Sequence, residues 1–253
     1  MALHSVDEAR RWPRPPTPGR PRRLLWSRRI LLTAAGLVAL TGLTVGIAWP
    51  LTPSVNDAAA RVQERLAQHG APVLLSLPTP DRVGQAIIAT EDSRFYAHWG
   101  IDALGVLRAA LHIASPGDAG GATLDQQLAK NLWTGNAGVL VKAEQVELSL
   151  KLEVHYSKTE ILRFYLAMAY FGHGFYGLPA ATEGYFGTPP DRVSWAQASL
   201  LAGLVQAPTA FDPYRHLERA KLRQRHVLDR LVATHVLTRA EAVAALHADL
   251  GLR

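Results

Sequence analysis

Ser157-Lys158-Thr159-Glu160-Ile161-Leu162-Arg163-Phe164-Tyr165-Leu166 is the stretch that decides the fold class. A serine followed three residues later by a glutamate, ahead of an apolar run reaching Tyr170, is the signature of a helix start. The hydroxyl accepts from the third helical amide, and the carboxylate reaches back to the serine N–H. The pattern returns at Ser194-Trp195-Ala196-Gln197 before Ala198–Val205, and at Thr238-Arg239-Ala240-Glu241 before the last segment. Ala86–Glu91 and Ala103–Ile113 are also helix-forming in composition, and Pro189-Pro190 and Pro208 punctuate. One segment argues back. Val146, Leu148, Leu150, Leu152 and Val154 alternate with polar residues, the period of a half-buried strand, although their Leu, Lys and Glu content suits a helix equally. Periodicity leaves both readings open there.

Upstream, residues 51–75 read as a linker with one amphipathic helix, Asn56 to Gln68, carrying Val62 and Leu66. Before it, Ile30 to Trp49 is an uncharged apolar run, about long enough to cross a bilayer as a helix. Arginines stand just before this run and none just after, with Trp26 and Trp49 at its ends. That asymmetry predicts a single-pass anchor over residues 29–50, a cytoplasmic N-terminus and an exported remainder. A cleaved signal peptide fits less well, because the run is long and lacks an obvious small-x-small cleavage site. Residues 1–28, rich in Arg and Pro, read as a disordered tail.

The net charge of +6 misleads if taken whole. Residues 1–50 hold eight arginines against Asp7 and Glu8, so the excess lies entirely there and the remainder is neutral. Bulk charge therefore gives no reason to expect a nucleic-acid partner. The chain has no cysteine, which excludes disulfides and thiol chemistry.

Four stretches could carry chemistry. Glu91-Asp92-Ser93-Arg94-Phe95-Tyr96-Ala97-His98-Trp99-Gly100 sets two carboxylates beside aromatics; a carboxylate in a partly apolar cleft can act as a general base. Gly120-Gly121-Ala122-Thr123-Leu124-Asp125-Gln126-Gln127-Leu128-Ala129-Lys130-Asn131 is a glycine turn leading into a helix with two amides and a lysine, a combination that suits phosphates or polar sugars but also an ordinary capped loop. The Ser157–Leu166 stretch continues to Tyr170-Phe171-Gly172. Last comes Ala198-Ser199-Leu200-Leu201-Ala202-Gly203-Leu204-Val205-Gln206-Ala207-Pro208, followed by an arginine-rich helix, Arg219–Arg230.

In this order the four stretches resemble the signatures of the peptidoglycan glycosyltransferases of glycosyltransferase family 51, in the monofunctional, membrane-anchored form. The match runs from about Ser76 to Arg230. The resemblance implies an all-α, lysozyme-like helical glycosyltransferase domain, residues 76–235, with a C-terminal helix over 236–253, behind the single N-terminal transmembrane helix. It settles the ambiguous segment as helix. It also implies a substrate, lipid II, and a growing glycan strand, a site at the outer (periplasmic) face of the cytoplasmic membrane, and other cell-wall synthesis proteins as partners. No Ser-x-x-Lys follows, so no penicillin-binding transpeptidase domain is expected. A lytic transglycosylase shares the lysozyme-like fold, but the Gln-Gln-Leu-Ala-Lys-Asn and Ala-Gly-Leu-Val-Gln-Ala-Pro runs argue against it.

Residue by residue, the resemblance makes Glu91 the general base and Asp92 a residue that orients it. On the substrate side it places Phe95, His98, Gly120, Gly121, Thr123, Gln126, Gln127, Lys130, Asn131 and Lys142, with the lysines toward the pyrophosphate. His98 and Glu160 read more simply as a structural hydrogen-bonder and a helix cap. The family's second catalytic glutamate is here Gln145, its preceding arginine is Val141, Ala122 replaces a serine and Ala167 an asparagine. Glutamine can hydrogen-bond but is a poor metal ligand. The resemblance fixes no cofactor; a divalent cation on the donor pyrophosphate is the one the family allows. Two expectations follow: a working lipid II polymerase with an altered donor side, or a weak or inactive relative that binds lipid II or glycan or scaffolds cell-wall proteins.

Overall fold

The structure is a computed structural model. It describes residues 45–71, 81–110, 122–135 and 138–253, together with 32, 33, 36, 42 and 43. The chain divides into two compact units, residues 1–48 and 49–253. The expected tail and most of the expected anchor lie outside the described residues. Among those described, no helix is long and apolar enough to cross a membrane.

The second unit is all-α. Its helices are α1 (Ala58–Gln68), α2 (Arg82–Glu91), α3 (Ala103–Ala110), α4 (Leu124–Ala129), α5 (Val139–His155), α6 (Lys158–Met168), α7 (Leu178–Phe186), α8 (Trp195–Leu204), α9 (Leu217–Ala233) and α10 (Arg239–His247). Extended pairing among the described residues is limited to two isolated bridges, Trp99 with Ile101 and Tyr170 with Tyr176. All three capping boxes form at α6, α8 and α10. The ambiguous segment 146–154 lies inside α5. Its buried residues Gln145, Leu148, Ser149 and Leu152 recur at helical spacing, so the alternation was incidental to a helix that buries more than one stripe.

The center of the body is α8. Nearly every residue from Ala196 to Leu204 is buried, and α2, α9 and α10 pack around it. A helix that is apolar all round needs partners on all sides. On the other side α4 packs on α5 and α6, and α1 lies on α6 through Val62 and Leu66. The segment leading into α1 is bound to the body as well. The Lys151 ammonium donates to the carbonyls of Trp49, Thr52 and Pro53 at 2.8, 2.8 and 3.0 Å. The Tyr156 hydroxyl lies 3.0 Å from the carbonyls of Val55 and Asn56. Burial lowers the Lys151 pKa, and the neighbouring Glu147 carboxylate works against that.

Candidate active site

Glu91 is the last residue of α2, a helix started by Asp81, whose carboxylate accepts from the Gly84 N–H at 2.6 Å. Its side chain is 11 % exposed, and its Oε1 meets Arg223 Nη2 of α9 at 3.3 Å. Burial raises the Glu91 pKa above the ordinary glutamate value, and the adjacent Asp92 adds to this. Arg223 opposes the rise, as does a hydrogen bond from Gln127. The Gln127 carbonyl in turn accepts from the Tyr165 hydroxyl at 3.0 Å. The carboxylate is thus largely desolvated yet held by an arginine and an amide, the environment of a tuned general base.

Gly203, inside the last motif, gives Arg223 its path. A Cβ at Gly203 would stand 3.0 Å from Arg223 Cγ. The arginine stem therefore crosses α8 where a side chain is missing, which gives that glycine a physical role.

Asp92 has partners of its own. Its carboxylate caps α4 by accepting from the Leu124 N–H at 2.9 Å, and both its oxygens lie 3.0 Å from His98 Nε2. Thr123 also caps α4, accepting from the Gln126 N–H and donating to the Gly100 carbonyl at 2.7 Å. Gly100 has φ of +68°, and a Cβ there would lie 2.8 Å from the Ser149 carbonyl; its N–H donates to Glu153 at 3.0 Å. The spacing His-x-Gly thus serves a close approach to α5. The Phe95 ring is fully buried, with the Lys158 ammonium 4.2 Å from its center.

Asp125 in the first turn of α4 is completely buried. Its Oδ2 lies 3.5 Å from Lys158 Nζ, and Lys158 is paired more closely with Glu153. Desolvation pushes the Asp125 pKa up to about 7, with Lys158 working against it and Glu153 adding to it.

The remaining predicted residues divide. Gln126 is buried. Lys130 is half-buried at the start of a single π-type turn, Lys130–Thr134, and Asn131 is exposed. Asn131 lines an open cavity of about 200 Å³ with Arg65, His69, Tyr170 and Tyr176. Lys142 is exposed. Gln145 is buried, and its Nε2 donates to Thr134 Oγ1 at 3.0 Å and to the Gly135 carbonyl at 2.9 Å. It fastens the turn after α4 to α5. Gly120 and Gly121 lie outside the described residues. Glu160 is the cap partner of Ser157, as its bland reading has it.

Sequence reasoning missed Arg223, which stood unremarked in an arginine-rich helix, and the buried trio Asp125, Glu153 and Lys158. A signal existed for Asp125, since a carboxylate between Leu124 and Gln126 in a helical first turn is either a dipole partner or a buried charge.

Comparison with known proteins bears on this geometry. The sequence profile of the family described as Transglycosylase matches residues 61–232. The chain belongs to the transglycosylase family. Penicillin-binding protein 1A of Vibrio cholerae is 38 % identical over 169 residues, covering 66 % of this chain and 20 % of that protein. Penicillin-binding protein 1A of Escherichia coli is 38 % identical over 185 residues, 70 % of this chain and 22 % of the relative. The chain thus spans about a fifth of the length of these curated relatives. A crystal structure of penicillin-binding protein 1A from Haemophilus influenzae aligns with a TM-score of 0.43 at 22 % identity, over 72 % of this chain and 18 % of that one. The transglycosylase profile includes Glu91, Arg223 and the buried cluster alike.

Proposed function

We propose that this chain is a peptidoglycan glycosyltransferase that polymerises lipid II, with Glu91 as general base. The observation that carries the reading is the Glu91 carboxylate, desolvated at the end of α2 and held by Arg223 and Gln127. Glu91 takes the proton from the acceptor sugar's 4-hydroxyl. The oxygen forms its bond to the anomeric carbon of the growing chain as the bond to the lipid pyrophosphate breaks on the opposite face. The configuration inverts, and the pyrophosphate leaves with the electron pair. The base must lie about 3 Å from the hydroxyl it deprotonates.

On the donor side Lys130 and Lys142 supply positive charge to the pyrophosphate, the half-buried and exposed positions being reachable by ligand. The Gln145 position does not fit a divalent cation. Its amide nitrogen is committed to Thr134 and Gly135, leaving one neutral oxygen where a carboxylate is needed.

The membrane is the expected workplace. On α3, Leu104, Val106 and Leu107 are about half exposed, and α5 opens with Val139 and Leu140, each 86 % exposed. Such apolar side chains favour an interface over water. We place the catalytic unit at the outer face of the cytoplasmic membrane, following an N-in anchor, on the arginines that stand before the apolar run 30–49 and not after it.

Gln145 favours a second reading, a weak or inactive relative that retains lipid II or glycan binding, because the residue is built into the fold rather than left free for a donor group. Polymerisation of labelled lipid II in detergent separates the two, with wild type, Glu91→Gln and Gln145→Glu assayed together. The enzyme reading expects product from wild type and at least a 100-fold loss in Glu91→Gln. Lipid II binding without turnover, with strong product only from Gln145→Glu, establishes the second.

A further inference from the structure

Asp92, His98 and Asp125 form a buried cluster that glycosyl transfer as proposed does not use. They are 7, 7 and 0 % exposed. One candidate ligand atom from each, two carboxylate oxygens and a ring nitrogen, lies within 4.8 Å of the others. Two further observations point to a ligand. Asp125 Oδ1 and His98 Nδ1 are buried with no hydrogen-bond partner, an expensive state for such groups. The surroundings are also rich in acid: the carboxylates of Asp92, Asp125 and Glu153 gather around one ammonium, Lys158, and one imidazole. A divalent cation beside a neutral imidazole suits such a concentration of carboxyl groups.

We propose that Asp92, His98 and Asp125 bind one divalent transition-metal ion of the zinc class. The donor set, one imidazole and two carboxylates, suits such an ion. Magnesium, which keeps several waters and avoids imidazole, suits it poorly. With metal–ligand bonds of about 2.0–2.2 Å, ligand atoms stand roughly 3–4 Å apart, so side-chain rotations of about 1 Å close the site. Lys158 keeps its closer partner, Glu153, and its seat over Phe95. The ion joins the residue after the base to the first turn of α4, which carries Gln126 and Gln127, and its role is to hold those two segments together.

The test uses the full chain in detergent, free of any affinity tag and stripped with chelator. Calorimetric titration with Zn²⁺ is expected to give one tight equivalent and a raised Tm, with Asp125→Asn binding at least 10-fold more weakly. Asp125→Asn relieves buried like charge, so circular dichroism of its metal-free form is expected to match wild type. Co²⁺ loading of wild type supplies a readout that needs no variant, the strong visible absorption of a low-coordinate buried ion. Absence of a tight Zn²⁺ equivalent in wild type, the same affinity in Asp125→Asn, or a Co²⁺ spectrum of a hydrated octahedral ion each overturns the proposal. None of these readouts depends on lipid II turnover, so failure of the glycosyltransferase reading is seen separately.

Discussion

Arg223 Nη2 stands 3.3 Å from Glu91 Oε1, and the two side chains, 12 and 11 % exposed, reach each other across 132 positions of sequence. The pair holds the proposed base in place while burial raises its pKa and the guanidinium limits the rise. Removing one partner leaves a poorly solvated charge, at a cost of about 3 kcal/mol for a well-buried pair. Arg223→Gln is therefore expected to lower kcat for lipid II polymerisation at least 10-fold while KM moves little, and to lower Tm by several degrees. Arg223→Lys, which keeps the charge, recovers part of both. Steady-state kinetics beside thermal melts check this; a change confined to KM would assign Arg223 to substrate binding instead.

Gly203 is expected to share that phenotype. Its Cβ position sits 3.0 Å from Arg223 Cγ, tight for alanine and prohibitive for a branched side chain. Gly203→Ala is expected to cost little activity because the arginine stem can shift, whereas Gly203→Val displaces it. In a double-mutant cycle Gly203→Val and Arg223→Gln are expected to be strongly non-additive. Additive losses rule out a shared route.

Gly100→Ala is expected to be among the most damaging small substitutions. The residue has φ of +68°, and a methyl there meets the Ser149 carbonyl at 2.8 Å. Left-handed strain costs about 1–3 kcal/mol before the clash is counted. Chemical denaturation is the measurement, with a loss of at least about 2 kcal/mol expected; a smaller loss means that α5 yields at Ser149.

The cap of α6 predicts acid sensitivity. The Glu160 pKa is held below the ordinary glutamate value by the Ser157 hydroxyl and then by the Ser157 N–H. A depressed folded pKa contributes stability that is fully present above the unfolded value of 4.5 and is lost as pH falls through the lower folded value. Glu160→Gln is expected to flatten that part of the Tm-against-pH curve below pH 4.5. Ser157→Ala, which removes the cap, costs about 1 kcal/mol at neutral pH. An unchanged curve in Glu160→Gln refutes the assignment.

The helical frame was largely legible because its starts are written locally. Ser157, Ser194 and Thr238 each bring their own partner three residues on, so a short window contains the whole interaction. Glu91 was singled out as a candidate base by its company of motifs. What faces it was not, because Arg223 reaches Glu91 only once α2 and α9 have both packed on α8. The same holds for Asp125, whose partners Glu153 and Lys158 come from the end of α5 and the start of α6. Alternation misleads in α5 for a related reason: a helix touched on several sides buries Glu147 and Lys151 as well as its leucines, and the periodicity blurs.

Lys151 and Tyr156 grip five backbone carbonyls between Trp49 and Asn56. Mechanically, this makes the entrance to the body a stiff stem rather than a slack rope. A pull on the chain at Trp49 is borne first by α5, the helix that holds Gln145 and the turn after α4. If the proposed glycosyl transfer at Glu91 holds, residues inserted into that stem are expected to lower turnover while leaving the fold of the body intact.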